Sequence, residues 1–445
     1  MGGMSHPTPK TDPRLQRRYQ QMVQEHFGHG HRVAAGPRSL PGPASAFAAT
    51  QAVWRFCRNP RLRLPLLAEP LLACARQAVK DACQGYALVA HDWSNLDYRP
   101  HSRKKDRIVL GSTAMIGYEL RSALLLSDRD GQALAPVCQD LRAAEGVYSS
   151  RDEEVQANQS CLDELAPVLA YLDDQHLGLP LVHLIDREAD SVAHYRQWHA
   201  ARHFFLVRAD DTRIVRHEGQ ERTLAEVVAQ LEQAEAFRDV RAVAYHGKPA
   251  RQWVAETEVT LERPACLNRT VNGKKRRTKV PGPPLRLRLI ISRVVDAQGQ
   301  VVAVWLLQTN VPASVAAATV ALWYYWRWRI ESYYKLLKGA GQQVEQWQQR
   351  QALPLARRLL VAGMACVLIW QLARSPAPEA ARLRSLLVRL SGRQMKGGVA
   401  YTEPALLAGL WVLLALLEVA QQHDLAELQD MAQFVLAGSK SPDTS

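Results

Sequence analysis

Residues 181–190 read LVHLIDREAD: a largely apolar five-residue run, Leu181–Ile185, that stops at Asp186. A short run of this kind, bounded by polar residues, predicts a buried strand. Residues 86–92, YALVAHD, repeat the pattern, with Tyr86–Ala90 ending in His91-Asp92, and Phe204–Val207 is a third such run. Between them, Ile108–Leu126 alternates small, apolar and polar residues, which predicts two strands with a turn near Gly117. Helical stretches separate the later runs, and strands alternating with helices indicate an α/β sheet.

Outward from this core the text changes character twice. Between about residues 211 and 318 it is strand-rich, with Val240–Tyr245, Trp253–Leu261, Leu285–Val294 and Val301–Gln308 as candidate strands. A basic loop, Lys274-Lys275-Arg276-Arg277, is expected to interrupt them. After Ser375-Pro376-Ala377-Pro378 the chain reads as Leu-rich helix to its end, a packing or subunit-contact module. Residues 12–63 also read as helical, broken at Gly36-Pro37 and Pro41-Gly42-Pro43. There, Ser45–Asn59 sets Phe47, Val53, Trp54 and Cys57 at roughly helical spacing with Arg55 and Arg58 beside them.

Charge points to the partner. The 445 residues carry a formal +13, and residues 1–63 alone hold nine Arg and one Lys against one Asp and one Glu. Such a field suits nucleic acid, with Arg55 and Arg58 as candidate contacts. A small cap with a solvated basic face is the plain alternative. A membrane surface is the rival polyanion, but it ordinarily comes with a lipid signal or an amphipathic anchor. The longest apolar runs, Leu359–Trp370 and Ala405–Leu417, are too short to span a bilayer, and the polar, Pro-rich start lacks a signal-peptide core. Seven cysteines, odd in number and without a CxxC, argue against a disulfide framework or a structural zinc site. The expectation is a cytoplasmic protein with no membrane partner.

Two strand-end aspartates, Asp92 and Asp186, stand where ligands of open α/β sheets collect. Each also has a plain reading as a turn or helix-cap residue. Glu188, Asp190 and Asp97 lie beyond the strand ends and are weaker candidates. The third element is more specific. Residues 320–338, VALWYYWRWRIESYYKLLK, predict one helix stopped by Gly339. At about 100° per residue, Tyr324, Arg327, Glu331 and Lys338 share a stripe roughly 60° wide and about 21 Å long. Trp326, Ile330 and Leu337 form the apolar face beside it. Arg327 and Glu331 also fit a simple i, i+4 surface pair. Two Asp and one Glu are the oxygen ligands Mg²⁺ prefers, and two such ions activate an attacking oxygen and stabilise a leaving one in phosphodiester chemistry. Tyr, Arg and Lys alongside suit phosphate.

On these residues the chain resembles the bacterial cut-and-paste transposases of insertion sequence family four, whose signature is Tyr-x2-Arg-x3-Glu-x6-Lys. It is complete here as Tyr324, Arg327, Glu331 and Lys338. The second-aspartate motif matches at Asp186-Arg187-Glu188-Ala189-Asp190, the first at Asp92 in HDWSNLDY, and FAATQAVWRFCRNP resembles the end-binding region. The likeness covers most of residues 12–375. It implies a ribonuclease-H-like core with a β-rich insertion and a DDE triad of Asp92, Asp186 and Glu331. Two Mg²⁺ ions, or Mn²⁺ in their place, would be bound by that triad. It further implies Trp305 stacking on a flipped base, against the plain reading of a strand core residue, and Arg208 near the transferred strand. The implied partners are double-stranded DNA, as element ends and target, and a second copy of the chain in a paired-end homodimer. The implied location is the bacterial cytoplasm, at the nucleoid. Nicking, hairpin formation and opening, and strand transfer follow from the resemblance alone. The expected domains are a helical DNA-end-binding region over 1–63, the catalytic core over 64–375 with its β-rich insertion at about 211–318, and a helical dimerisation module over 376–445. A metal-dependent nuclease that cuts without joining, and a catalytically idle DNA-binding derivative, are the alternatives.

Overall fold

The computed structural model describes residues 6–27, 43–111, 115–245, 247–271, 274–339, 341–421 and 423–437. The expected breaks at Gly36-Pro37 and Pro41-Gly42 lie outside the described residues, as does the side chain of Phe47. Three helices come first, α1 (Pro13–Phe27), α2 (Pro43–Arg58) and α3 (Leu64–Ala82). Strands β1 (Ala87–Asp97), β2 (Ile108–Val109), β3 (Ile116–Ser127), β4 (Ala133–Ala143) and β5 (Gly146–Ser149) follow. Helix α4 (Leu165–Asp174), β6 (Leu181–Ile185), α5 (Val192–Ala200) and β7 (Phe204–Arg208) then alternate. The next stretch holds β8 (Ile214–His217), β9 (Gln220–Thr223), α6 (Leu224–Gln233), β10 (Arg238–Tyr245) and β11 (Lys248–Leu261). It continues with β12 (Ala265–Val271), β13 (Lys274–Val280), β14 (Leu285–Asp296) and β15 (Val301–Thr309). Helices α7 (Ala317–Trp326), α8 (Arg329–Leu337), α9 (Ala352–Arg374), α10 (Pro378–Leu390), α11 (Glu403–Ala420) and α12 (Leu425–Ala437) follow, the last of the described elements.

The fold is mixed α/β around a 13-stranded, mostly antiparallel sheet of order β5-β4-β3-β1-β6-β7-β15-β14-β11-β8-β9, with β10 on β11 and β2 on β3. Parallel pairing is confined to its middle, where Ala87–Ala90 of β1 lies against Leu181–Leu184 of β6, and Val182–Ile185 against Phe204–Val207 of β7. These strands are buried on both faces, which is why they read as runs rather than alternations.

By internal contacts the chain divides into two compact units. The first comprises Met1–Pro7, Pro70–Asn95 and Glu119–Ser332; the second comprises Thr8–Glu69, Leu96–Tyr118 and Tyr333–Ser445. The basic N-terminal helices and the Leu-rich C-terminal ones, separate in sequence, thus fall in one unit. The first unit is organised around Tyr195, Trp198, Phe205, Leu289 and Ile291, with Tyr195 stacked on Phe205 at 5.2 Å. The second is organised around α9, against which α1 and α2 pack through Tyr19, Met22, Val23, Val53, Phe56 and Cys57. Helix α9 is long and apolar enough to cross a membrane, but its apolar window is 94% buried, and it is the core helix of this unit. Even Arg357 and Arg358, two of its arginines, are enclosed. Arg357 donates to the Cys57 carbonyl at 2.8 Å, and Arg358 lies 4.0 Å over the Trp347 ring.

Four local expectations need correction. The turn predicted near Gly117 falls earlier, because Gly117 is inside β3, paired with Ile108. A Cβ there would meet the Leu96 carbonyl oxygen at 1.9 Å, so the glycine serves close strand approach. The stretch Lys274–Arg277, read as a loop, is the start of β13 in a separate hairpin with β12. Strand β1 does not end at Asp92 but runs on to Asp97. On α2, Phe56 joins Val53 and Cys57 in the core, whereas Trp54 faces outward at 38% exposure. The seven cysteines are free.

One glycine ties the sheet to the motif helix. Gly131, in the β3–β4 turn, has φ +67° and sits under Trp326, whose ring a Cβ would meet at 2.2 Å. Gly131→Ala should therefore lower stability by about 1–3 kcal/mol, combining backbone strain with a core clash. Gly85→Ala, whose Cβ would meet only a carboxylate oxygen at 3.9 Å, should be near neutral. Urea midpoints of the two variants check this: equal midpoints would show that the turn yields without cost.

Candidate active site

Asp92 lies where β1 outruns its parallel pairing with β6, and the strand passes there from buried to half-exposed. Its Oδ1 accepts from the Trp93 amide at 2.8 Å. Asp186 follows β6 directly and caps the 3₁₀ turn Arg187–Ala189, its Oδ1 accepting from the Arg187 amide at 2.6 Å. The cap reading of Asp186 and its placement at a strand end are therefore both realised.

The motif helix is not continuous. Helix α7 stops at Trp326 and α8 starts at Arg329. Across the junction the amides of Arg327, Ile330 and Glu331 bond to carbonyls three residues back, those of Tyr324, Arg327 and Trp328. This 3₁₀ tightening turns each residue by about 120° instead of 100°, so the single straight stripe predicted from the sequence is twisted. Its first three members nevertheless converge. One guanidinium nitrogen of Arg327 is 3.4 Å from Asp92 Oδ2, and the other is 3.0 Å from Asp186 Oδ2 and 3.9 Å from Glu331 Oε1. The Tyr324 hydroxyl reaches Asp186 Oδ1 at 3.4 Å, at the long end of hydrogen bonding.

Arg327 is buried, its side chain 6% exposed, while the three carboxylates keep between 22% and 34%. Burial works against the Arg327 charge, but Tyr324, Asp186, Asp92 and Glu331 together hold its pKa above the ordinary value. Burial also pushes the Asp92 carboxyl up; Arg327 and the Trp93 amide oppose this, and Asp186 adds to it. The Tyr324 phenol is raised well beyond its usual range, chiefly by burial. Arg208, at the end of β7, lies close enough to Tyr324 to act electrostatically on it.

The strands between β10 and β15 hold this arrangement in place. Buried Arg288 of β14 donates to the carbonyls of Val311, Pro312 and Val315 at 2.8–3.1 Å, fixing the approach to α7. Arg241 donates to the Ala318 carbonyl at 2.6 Å, and the Tyr325 hydroxyl to that of Ala244 at 2.7 Å.

Other sequence candidates lie elsewhere. Lys338 follows α8 in the second unit, 3.7 Å from Glu345. Arg55 and Arg58 are exposed on α2, also in the second unit. Trp305 is half-buried on β15, edge-on to Tyr245 at 6.3 Å between ring centres, so it is not the strand core residue of the plain reading. Asp190 is structural, held by Arg213 at 2.9 Å and the Tyr195 hydroxyl at 3.0 Å.

Sequence reading missed a buried histidine cluster. His91 and His183 bond through Nε2 and Nδ1 at 2.9 Å, and His203 Nδ1 lies 2.7 Å from Asp173. Donor atoms of Asp173, His183 and His203 all lie within 4.8 Å of one another. No sequence spacing announces this group, which adjacent strands assemble from residues far apart.

No protein-family model matches the chain, and no curated protein matches it. The site must therefore be judged on its own geometry. Three carboxylates around one guanidinium present a set of hard oxygen donors suited to Mg²⁺ or Mn²⁺. Arg327→Met would leave the carboxylates facing one another, and without divalent cations stability should fall by about 3 kcal/mol. Arg327→Lys should recover only part of that, since one ammonium cannot fork between two aspartates. Urea unfolding in chelator measures both; an unchanged midpoint in Arg327→Met would show that the ion pairs contribute nothing.

Proposed function

We propose that the chain is a DNA transposase that cuts and rejoins element ends with Asp92, Asp186 and Glu331 as its catalytic carboxylates. One observation carries this reading: a single buried guanidinium, Arg327, joins two aspartates and a glutamate drawn from stretches about 94 and 145 residues apart. That juxtaposition is what the Tyr-Arg-Glu-Lys resemblance and the two aspartate motifs jointly require. The middle of the sheet adds support. A hairpin of β3 and β4 lies on one side of β1, and parallel β6 and β7 lie on the other, an order that supports reading a ribonuclease-H-like core. The strand-rich stretch from β8 to β15 supports the insertion that the resemblance implies.

The three carboxylates would hold two Mg²⁺ or Mn²⁺ ions, which when bound neutralise the phosphate and favour an oxygen nucleophile. The residues fit that group, because the donors are all carboxylate oxygens gathered around Arg327. Arg327, aimed between the two aspartates, would bind a phosphate of the scissile strand, and Tyr324 would orient the same group from beside Asp186. Arg208 adds a second cation near Tyr324. The role of Lys338 rests on the resemblance alone. The reaction is hydrolytic nicking, then attack of the freed 3′-hydroxyl on the opposite strand to give a hairpin, hairpin opening by water, and strand transfer into target DNA.

Double-stranded DNA as partner is supported by the basic N-terminal stretch and by the outward Arg55 and Arg58. Pairing of two copies is supported by apolar side chains left exposed at the C-terminal end, Leu416, Leu417, Leu425 and Met431. Because α1 and α2 are part of the second unit's core, deleting them would unfold that unit, so point changes are the cleaner probe of binding.

Asp92→Asn, Asp186→Asn and Glu331→Gln should each reduce Mg²⁺-dependent nicking of supercoiled DNA to background while gel-shift binding persists. Each should also remove the rise in melting temperature that Mg²⁺ or Mn²⁺ gives the wild-type chain. Substantial cleavage by any one variant would take that residue out of the reaction. Nicking without joining of pre-cut ends would leave a nuclease rather than a transposase.

A further inference from the structure

The second unit contains a cavity of about 810 Å³, within the range that holds small ligands. Three separately anchored walls bound it. On α2, Val53, Phe56 and Cys57 are buried, which turns Gln51, Trp54 and Arg58 outward at helical spacing; Gln51 and Trp54 line the cavity. The segment 347–350 alternates, with Trp347 and Gln349 buried and Gln348 and Arg350 exposed to the cavity. Trp347 is fixed by its indole donating to the Gln342 carbonyl at 2.9 Å and by Arg358 stacked over it. The third wall is the loop after β1. There Lys104 turns its amine inward, to the Gln349 carbonyl and over the Tyr98 ring, while Arg103 remains exposed.

The chemistry of the lining is one-sided. It includes two exposed guanidiniums, Arg103 and Arg350, together with His101 and one outward tryptophan, and among the described residues no carboxylate lines it. Arg58 lies 3.9 Å over the Trp54 ring, holding it in place and adding a further positive charge at the rim. An exposed Trp beside cations is costly for a solvated surface, and it is what a flat ring bearing phosphates would need. We propose that this cavity receives one unpaired nucleotide of DNA, its base against Trp54 and its flanking phosphates against Arg103 and Arg350. The inference rests on the reading of the chain as a DNA-acting protein. It adds a base-accepting site in the unit that does not contain the carboxylates.

The test uses the full chain and two fluorescein-labelled single strands of equal length, oligothymidine and the same backbone with abasic residues, read by anisotropy. Trp54→Ala should weaken oligothymidine binding by about tenfold and leave the abasic strand unaffected, while Trp54→Phe should keep most of the affinity. Arg103→Ala and Arg350→Ala should weaken both strands and each lower the salt slope by about 0.7. Equal affinity of wild-type protein for the two strands, or no effect of Trp54→Ala, would overturn the proposal and leave at most a backbone clamp. Unchanged salt slopes in both arginine variants would also overturn it. Metal-dependent nicking by the wild-type chain is scored separately. Nicking with no Trp54 effect removes this site alone, and Trp54-dependent binding without nicking removes the transposase reading alone.

Discussion

Everything in the candidate site depends on one buried guanidinium. Asp92, Asp186 and Glu331 are like charges held at partial burial, an arrangement that repels itself unless a cation stands among them. Arg327 is that cation, and its own burial is tolerable only because several anionic or polar groups surround it. The constraint runs in both directions. The carboxylates need the arginine in place, and the arginine is aimed by a helix junction whose position is set by distant parts of the first unit. Arg288 holds the segment leading into α7 by its carbonyls, Arg241 holds the first turn of α7 at Ala318, and Trp326, the residue before Arg327, rests on a glycine of the β3–β4 turn. Strands β10 and β14 thereby support the candidate site, although neither carries one of its carboxylates.

How far this could be read from the sequence varies with the physical origin of each feature. The parallel strands were legible because burial on both faces leaves uninterrupted apolar runs, and Leu181–Ile185 is the strand as observed. The grouping of Tyr324, Arg327 and Glu331 followed from motif spacing and survives the break between α7 and α8, whereas the gathering of Asp92 and Asp186 onto it was implied by the resemblance. The break itself was not legible. No Gly or Pro marks it, and an unbroken helical pattern does not reveal three-residue hydrogen bonds. Helix α6 carried a signal that went unread: Thr223-Leu224-Ala225-Glu226 is a capping box, with the Glu226 amide bonding to the Thr223 hydroxyl at 3.2 Å and the Thr223 amide to the Glu226 carboxylate at 2.6 Å. The outward turn of Trp54 could not be inferred, because Trp54 and Phe56 are equally plausible core residues until α9 decides which side of α2 is covered. The histidine cluster depends wholly on strand register, so no local pattern records it.

The division of labour along the chain is also unlike its sequence order. The N-terminal stretch looks self-contained, rich in arginine and ended by Pro60, yet its apolar side chains are completed only by α9 and its neighbours. Its basic face and the hydrophobic core beneath it are thus parts of one object, and the cavity beside Trp54 is walled by segments from three distant parts of the sequence.

That interleaving bears on how the protein comes into being. Helix α1 ends at Phe27 and its partner α9 begins at Ala352, about 325 residues later. At synthesis rates of about 5–20 residues per second, the N-terminal helices wait roughly 15–65 s for the surface they pack against. During that interval the nascent chain carries a basic, unsatisfied amphipathic segment, while the strands of the first unit can already pair. The second unit closes late in translation, so a ribosome that stalls before α9 releases a product with its carboxylate-bearing half largely assembled and its arginine-rich helices without a core.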